Sequence, residues 1–353
     1  VTMDSDKTII ANFIPWQPPI GILEPEFGIK ETYRMYDDPR KRNPSLTYTQ
    51  NAKGGYYTHY IDNTHPAATD TSNPYGTASK PRMTIPPDVP EGSVVEIHGG
   101  PYNFYNRAGK MALYGYGTAD RPIFFRGASI NERPSFSRSG GLYPAGSYVI
   151  LENLLLLNDT TIAFRPYGIS LPFAHHIAVR HCEMIGSSNH SVIRAVVYIG
   201  ADYVEEGALS SYIVIYNNTA YNYGDWQYAG ENDAMGVGVG GFDASDVWIV
   251  DNELFHMGGD SIRVGTGVEP DPEHPAKMRN AYIGRNIMYE NGENAVDVKP
   301  MQNVVISENI MYGFDGNSGD PGSAIVVHNE PTNTWVINNI IYNAVKGVMV
   351  SDG

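Results

Sequence analysis

A short phrase of alternating apolar and polar positions recurs in the last third of the chain. Three clear copies and one fainter copy are Gly-Gly-Asp-Ser-Ile-Arg-Val-Gly (258–265), Gly-Glu-Asn-Ala-Val-Asp-Val-Lys (292–299), Pro-Gly-Ser-Ala-Ile-Val-Val-His (321–328) and Glu-Asn-Asp-Ala-Met-Gly-Val-Gly (231–238). Side chains of an extended strand point alternately to its two faces, so the apolar positions of each copy share one face. The phrase therefore predicts a short strand whose second face can carry chemistry.

A second apolar run, which closes on asparagine, alternates with these phrases. Its copies are Tyr-Val-Ile-Leu-Glu-Asn (148–153), Ile-Val-Ile-Tyr-Asn-Asn (213–218), Val-Trp-Ile-Val-Asp-Asn (247–252), Ala-Tyr-Ile-Gly-Arg-Asn (281–286), Val-Val-Ile-Ser-Glu-Asn (304–309) and Trp-Val-Ile-Asn-Asn (335–339). Between the asparagines at 218, 252, 286, 309 and 339 the steps are 34, 34, 23 and 30 residues. Repeats of this length that consist of short strands predict a solenoid.

The pattern inside each repeat predicts an all-β fold, a right-handed parallel β-helix. Strands with one buried face can stack coil on coil, and a corner asparagine tolerates left-handed backbone and can bond to the next asparagine in a ladder. We expect one interior column to contain Ile215, Ile249, Ile283, Ile306 and Ile337. A β-propeller would have four strands per blade and more even repeats, so the sequence favours the β-helix.

Composition narrows the set of partners. The 353 residues carry a formal charge of −15, with only 24 Lys plus Arg, which argues against nucleic acid or an anionic membrane surface as partner. No stretch is long and apolar enough to predict a membrane span. The single cysteine, Cys182, excludes a disulfide framework within the chain and is predicted to be a buried thiol.

The chain divides into segments of different amino-acid composition. Residues 14–55 are rich in proline and charge and predict a linker packed along the solenoid, and residues 56–353 predict the β-helix with its N-terminal capping segment. The inserts 100–120 and 186–210 predict loops. The sequence stops within a coil at 348–353, so we expect the natural sequence to continue and an open solenoid end to permit self-association.

Stacking the phrases in register predicts columns of side chains about 4.8 Å apart on the outer face. The first column contains Asp233, Asp260, Asn294 and Ser323. The second contains Gly236, Arg263, Asp297 and Val326, and the third contains Gly238, Gly265, Lys299 and His328. Glycines in these columns are expected to open a groove. Glu231 and Glu293 lie at the turns that enter the strands, and we assign them to substrate binding.

The residue types in these columns suit chemistry on an acidic sugar. Carboxylates from stacked coils, here Asp233, Asp260 and Asp297, are predicted to gather a Ca²⁺ ion. The ion could bind a uronate carboxylate and acidify the proton at C5, which Lys299 would then accept as general base. Arg263 and His328 complete the predicted catalytic group. The competing interpretation is a set of surface ion pairs, which contribute little.

Two stretches resemble known families. Val-Thr-Met-Asp-Ser-Asp-Lys-Thr-Ile-Ile-Ala-Asn-Phe (1–13) resembles the end of an internalin-type B-repeat, which implies a piece of a longer, exported bacterial protein at the cell surface or secreted from it. A second segment resembles the opening of β-helix polysaccharide enzymes. It runs from Tyr-Tyr-Thr-His-Tyr-Ile-Asp-Asn (56–63) to Pro-Glu-Gly-Ser-Val-Val-Glu-Ile-His-Gly-Gly-Pro-Tyr (90–102).

The predicted outer columns look most like those of family 9 pectate lyases. That resemblance implies calcium ligands at Asp233, Asp260 and Asp297 and a base at Lys299, although the tight Asp-Asp run of that family is missing here. The function it implies is a lyase that cleaves an acidic, uronate-containing polysaccharide by β-elimination. Fold alone does not decide function, so two alternatives stay open.

The first alternative is a β-helix glycoside hydrolase that uses Asp233, Asp260 and Asp297 as acid and base. The second is a non-catalytic surface, filament-forming or carbohydrate-binding solenoid. Loss of activity on removal of Lys299 distinguishes the lyase from the hydrolase, and the absence of any turnover identifies the non-catalytic protein.

Overall fold

The computed structural model describes residues 15–51, 55–106, 111–137, 141–164, 174–188, 195–200, 210–228, 233–240, 244–265, 278–316 and 322–351. These residues form a right-handed parallel β-helix with three sheets, as predicted. Two short 3₁₀ helices, Tyr33–Asp37 and Pro39–Lys41, precede the coils. The described residues contain no helix that is long and apolar enough to cross a membrane.

The strands are numbered β1 to β28 along the chain. The short antiparallel pair β1 (Thr49–Gln50) and β2 (Tyr56–Tyr57) comes first. Sheet A then consists of β3 (His59–Asp62), β4 (Val94–His98), β6 (Ile123–Gly127), the second half of β8 (Leu142–Glu152), β11 (Ala174–Arg180), β14 (Ser210–Tyr216), β17 (Ala244–Val250), β20 (Arg279–Gly284), β23 (Gln302–Ser307) and β26 (Thr332–Ile337).

Sheet B shares the first half of β8, which bends from one sheet into the other. Its other strands are β5 (Met111–Tyr116), β10 (Ile162–Phe164), β13 (Ala195–Ile199), β16 (Met235–Val239), β19 (Ile262–Val264), β22 (Val296–Val298), β25 (Ser323–Val327) and β28 (Lys346–Val350). Sheet C consists of β7 (Ser135–Ser137), β9 (Leu155–Leu157), β12 (Glu183–Ile185), β15 (Thr219–Tyr223), β18 (Glu253–Met257), β21 (Ile287–Tyr289), β24 (Ile310–Phe314) and β27 (Ile340–Ala344).

The interior column of isoleucines is confirmed over four coils. Ile215, Ile249, Ile283 and Ile306 are register partners in turn and are buried. The fifth place belongs to Val336, because Ile337 pairs with Ser307 instead. The prediction for Ile337 was therefore wrong by one residue: Ile306 lies three residues before its corner asparagine, and the corresponding position before Asn339 is Val336.

The corner asparagines form the predicted ladder. Each side-chain amide donates to the side-chain oxygen one coil further on, from Asn218 to Asn252, Asn286, Asn309 and Asn339, at 2.9–3.0 Å. Cys182 takes this position one coil earlier and is buried, as predicted; its backbone N–H donates to Asn218 Oδ1 at 3.0 Å. Burial raises the pKa of the thiol to about 12.

Asn153 does not belong to this ladder, which corrects its place in the series. It lies one position earlier in the coil, in register with His181 and Asn217, and all three have φ between 50° and 56°. The column thus uses left-handed backbone to turn the corner, and asparagine is one of the residues that adopts it most readily.

A segment that we name the strap, residues 15–48, packs on the outer face of sheet A. Its apolar anchors Ile22, Phe27 and Tyr36 join the outward side chains of that sheet in a second buried cluster. Polar contacts hold it along several coils: Trp248 Nε1 donates to Leu23 O at 2.8 Å, and Trp16 Nε1 donates to Asp251 Oδ2 at 2.7 Å. The strap therefore removes one face of the solenoid from solvent.

Beneath the strap lies a buried charge ladder, Glu96, Arg126, Glu152 and Arg180, which are successive register partners in sheet A. Arg126 Nε lies 3.0 Å from Glu152 Oε1, and Arg180 Nη2 lies 2.6 Å from Glu152 Oε2. Arg180 also donates to the strap carbonyl of Glu31 at 2.7 Å. Although burial raises it, the pKa of Glu152 is lowered overall because both guanidiniums surround the carboxylate.

The outer face of sheet C carries a stack of rings. Neighbouring rings lie 4.7–4.9 Å apart and within 7° of parallel in the series Tyr221, Phe255, Tyr289, Tyr312 and Tyr342. Within the stack each ring covers the faces of its neighbours, so the face of an inner ring is used for packing. Sheet B is the face on which the candidate chemistry lies.

Candidate functional site

The three clear phrases occupy neighbouring strands of sheet B, as the sequence predicts. Strand β19 pairs with β22, and β22 pairs with β25, so Arg263, Asp297 and Val326 form one outward column. The same register places Gly265, Lys299 and His328 in the next column, with Lys299 N donating to Val264 O and His328 N donating to Val298 O. Their apolar neighbours, such as Val296, point into the core.

The faint copy is displaced by two residues from its predicted register. Gly238, and not Gly236, pairs with Arg263, and Val239 pairs with Val264. Asp233 therefore lies outside the column of Asp260. A shift of two residues keeps every side chain on its face, so the alternating pattern alone could not exclude it.

Asp297 is the centre of a compact ionic group. Its Oδ1 lies 2.8 Å from His328 Nε2, and its Oδ2 lies 3.5 Å from Lys299 Nζ. The carboxylate is only 7% exposed, whereas the Lys299 and His328 side chains are 20% and 24% exposed. One nearly buried anion thus holds two side chains that reach the surface.

Arg263, one coil before Asp297, is held more loosely. Its Nη1 lies 3.8 Å from Oδ1 of Asp233, whose side chain is 67% exposed. An ion pair of this length at such exposure contributes little to stability, so an incoming anion can take its place. We name Arg263, Asp297, Lys299 and His328 the outer cluster.

Asp260 lies behind this cluster and not in it. Its side chain is buried, and its Oδ1 accepts from Asn294 Nδ2 at 3.0 Å. Burial raises the pKa of Asp260 well above its ordinary value, and the charges of Asp297 and Glu293 raise it further. Asp260 is therefore a carboxyl group that tends to keep its proton, and its position does not let it touch a polymer on the surface.

Of the two predicted substrate-binding glutamates, the structure describes Glu293. Glu293 is half-buried at the turn before β22, and its backbone N–H donates to Gly259 O at 3.3 Å. Its charge acts on Asp260. Glu231 lies outside the described residues, and its predicted role in substrate binding stays a prediction.

The calcium prediction does not find a preformed ligand set. Across the part of the chain that the structure describes, no group of three or more His, Cys, Asp or Glu side chains is arranged to hold a metal ion. Asp260 is buried with a raised pKa, Asp297 is engaged by Lys299 and His328, and Asp233 lies in another register. The three aspartates do not form a Ca²⁺ site as they stand, and the chemistry proposed below uses no metal ion.

One residue beside the cluster was missed because its strand was predicted to be a loop. The insert 186–210 contains β13, and the insert 100–120 contains β5, so both loop predictions were wrong in part. Tyr198 of β13 is the register partner of Gly238 and thus belongs to the outward column of Arg263 and Asp297. The apolar run Ala-Val-Val-Tyr-Ile (195–199) is the signal that could have revealed it.

Comparison with known proteins supports the fold. No protein-family model and no curated protein matches the sequence. Among solved structures, a rhamnogalacturonan lyase is similar with a TM-score of 0.50 and 14% identity, over 84% of this chain and 86% of that one. The pectate lyase Pel9A is similar with a TM-score of 0.42 and 13% identity, over 82% of this chain and 78% of that one. The similarity to the rhamnogalacturonan lyase supports the parallel β-helix fold of this chain.

Proposed function

We propose that the outer face of sheet B is the active site of a lyase that cleaves a uronate-containing polysaccharide by β-elimination. The observation that carries the proposal is the outer cluster, in which a nearly buried Asp297 holds Lys299 and His328 at the surface beside a loosely paired Arg263. In a chain of net charge −15, such a local group of basic side chains is what an acidic polymer would need in order to bind.

The roles follow from position and chemistry. Arg263 binds the uronate carboxylate, because a guanidinium matches the two oxygens of a carboxylate. Lys299 accepts the proton from C5 as the general base. The electron pair of that C–H bond forms the C4–C5 double bond as the C4–O4 bond breaks, and His328 donates a proton to the departing oxygen. Asp297 positions both Lys299 and His328 through its two oxygens.

The burial of Asp260 favours a lyase over a hydrolase. A β-helix hydrolase would need two carboxyl groups on either side of the scissile bond. Of the three aspartates expected to supply them, Asp260 is buried and Asp297 is engaged by Lys299 and His328. The outer cluster instead offers a group that binds the carboxylate (Arg263), a base (Lys299) and an acid (His328). These are the three groups that an elimination needs.

Three further expectations belong to the proposal. A relationship to family 9 pectate lyases, export to the cell surface or medium, and self-association through solenoid ends all belong to it as expectations. The similarity to the solved rhamnogalacturonan lyase supports the fold and none of these expectations. The B-repeat resemblance falls on residues 1–13, which lie outside the described residues.

A product assay tests the proposal. The protein is incubated with pectate, alginate and glycosaminoglycans, and the ultraviolet absorbance of an unsaturated uronate is followed. We expect absorbance to rise on at least one polymer. New reducing ends without that absorbance would identify a hydrolase, and no product on any polymer would favour the non-catalytic solenoid.

The same assay tests calcium. Parallel reactions contain added Ca²⁺ or a chelator. Because the aspartates form no preformed ligand set, we expect turnover to persist in the chelator. Complete loss of activity that added Ca²⁺ restores would show that the cation binds with substrate and would support the calcium prediction.

A further inference from the structure

Two adjacent histidines lie on the outer face of sheet A, beneath the strap. His175 and His176 belong to β11, and both are half-buried. In the pairing of β11 with β8, the register passes from His175 to Ile177 and skips His176, whose φ is 54°. His176 therefore forms a bulge that brings its ring to that of His175, and the two Nδ1 atoms lie 2.9 Å apart.

The contact between the two Nδ1 atoms limits how many protons the pair can bind. A neutral imidazole has one donor and one acceptor nitrogen, whereas an imidazolium has two donors. The hydrogen bond between His175 and His176 therefore needs at least one neutral ring. Burial lowers the pKa of both histidines, and the charge of His175 lowers the pKa of His176 further. A second proton would set two N–H groups and two positive charges against each other.

His176 is also the ring on which the strap rests. It is stacked between Tyr148 and Tyr212, with ring centroids 4.5 Å away on each side. The buried Phe27 of the strap packs its ring edge-on against Tyr148 at 5.2 Å and against His176 at 6.4 Å. His176 thus cannot leave the stack without displacing this anchor of the strap.

Within the described residues, the titratable groups that face the pair come from the strap and from the two flanking strands. Tyr148 of β8 and Tyr212 of β14 present rings that carry no charge in acid. Glu26 of the strap is exposed, and its charge acts against burial by raising the pKa of His176. One exposed carboxylate offsets part of one positive charge, and it cannot replace the hydrogen bond that a second proton removes.

The strap lies closest to the sheet beside Phe27. Gly28 has a φ of 106°, and a methyl group on it would come within 2.8 Å of Ala178 Cβ. Nearby, the carbonyl of Leu23 accepts a hydrogen bond from Trp248 Nε1, and Trp248 is only 4% exposed. Because the fit is this close, displacement of Phe27 lifts backbone that covers Trp248.

We propose that His175 and His176 form an acid-sensitive latch that holds the strap on sheet A and releases it when both rings are protonated. The latch concerns the covered face of the solenoid and does not depend on the proposed function. A released strap leaves the histidines with an ordinary pKa of about 6.5, so the released form binds protons more tightly than the docked form. Docking is therefore strongest above about pH 6.5 and weakens as pH falls through the lower pKa values of the docked pair.

Quenching of tryptophan fluorescence by acrylamide, a neutral quencher, tests the latch. The full chain is prepared with Trp248 as its single tryptophan, by the substitutions Trp16→Phe, Trp226→Phe and Trp335→Phe. We expect the quenching constant to rise severalfold between about pH 7.5 and about pH 4.5, a range that brackets the ordinary pKa of histidine. Circular dichroism should stay unchanged over this range, because the coils remain folded. A flat quenching constant would overturn the latch.

Variants in this background separate the pair from other effects of acid. His176→Phe keeps a ring in the stack, and His175→Gln keeps a polar group beside His176, but neither new side chain accepts a proton in this range. Both variants should hold the quenching constant flat. His181→Gln is the matched control, because His181 follows β11 and burial lowers its pKa too, and this variant should respond like the parent. An undiminished response in both pair variants, or its loss in the control alone, would overturn the latch.

Discussion

Sheets A and B both carry charged side chains on their outer faces but arrange them differently: on sheet A the paired charges are register partners, whereas on sheet B Asp297 contacts Lys299 of its own strand and His328 of the next column. On sheet A the buried charge ladder alternates strictly, and its side chains are at most 6% exposed. On sheet B, Lys299 and His328 share the single carboxylate of Asp297 and are 20–24% exposed. Charged side chains on the outer face thus form a closed ion-pair network on sheet A and an open one on sheet B.

The strap explains the difference. It covers sheet A, and its backbone carbonyls accept hydrogen bonds from Arg180, so that the charges below it are both desolvated and satisfied. Within the described residues, the strap lies on sheet A and the outer cluster on sheet B faces solvent. Buried pairs must be complete to be tolerated, whereas an open cluster can keep cations that are only partly matched. Incomplete pairing on an exposed face is what a ligand can use.

The largest expected effect is a loss of catalytic rate on substitution of Lys299 in sheet B. Lys299→Ala should lower turnover on the active polymer by about 10²–10⁴-fold, because general-base catalysis contributes that much. Lys299→Arg should fail as well, since a guanidinium stays protonated. Initial rates from product absorbance provide the measurement, and thermal unfolding should show both variants as stable as the parent. Full activity in Lys299→Ala would remove lysine from the mechanism.

The next largest effect is a loss of folding stability on substitution of Glu152 in sheet A. Glu152→Gln leaves Arg126 and Arg180 without their shared carboxylate, and loss of one partner from a buried pair costs about 3–5 kcal/mol. Denaturant unfolding measures the change. Glu91→Gln is the control, because the Glu91 and Arg121 side chains are about one-third exposed and such a pair is worth at most about 1 kcal/mol. Equal losses in the two variants would contradict the role of burial.

A smaller effect concerns pH. Because the folded-state pKa of Asp260 is raised, the folded protein binds this proton more tightly than the unfolded chain does. The resulting stabilisation is fully present below about pH 4 and is lost as pH rises through the folded-state pKa. Asp260→Asn should therefore unfold at a higher temperature than the parent at pH 8 and should depend less on pH. Asp233→Asn, at an exposed position, should follow the parent curve.

The sequence was sufficient for the architecture and for the central site strands. Periods of two within each strand and the recurring corner asparagine are properties of the residues themselves, and they located Ile215 to Ile306, the asparagine ladder, and the register of Arg263, Asp297 and Lys299. These features depend on local pattern and stacking alone, which a sequence displays.

What the sequence could not supply depends on register and on distant contacts. The β16 phrase slips by two residues without changing its pattern, which misplaced Asp233 and Gly236. Strand β13 lies within the insert 186–210, so its apolar run had no recognised repeat to align it. The cover that the strap gives to Arg180 joins residues about 150 positions apart, for which no local signal exists.

One paired measurement tests the contrast between the faces most directly. Asp297→Asn and Glu152→Gln each remove one shared carboxylate charge, and each variant is assayed for unfolding free energy and for product formation. We expect Asp297→Asn to abolish most turnover while costing at most about 1 kcal/mol, since Lys299 and His328 can return to solvent. Glu152→Gln should cost about 3–5 kcal/mol and, where folded, leave turnover near that of the parent. Asp297→Asn that is as destabilising as Glu152→Gln and as active as the parent would show that both faces are structural and would contradict the account.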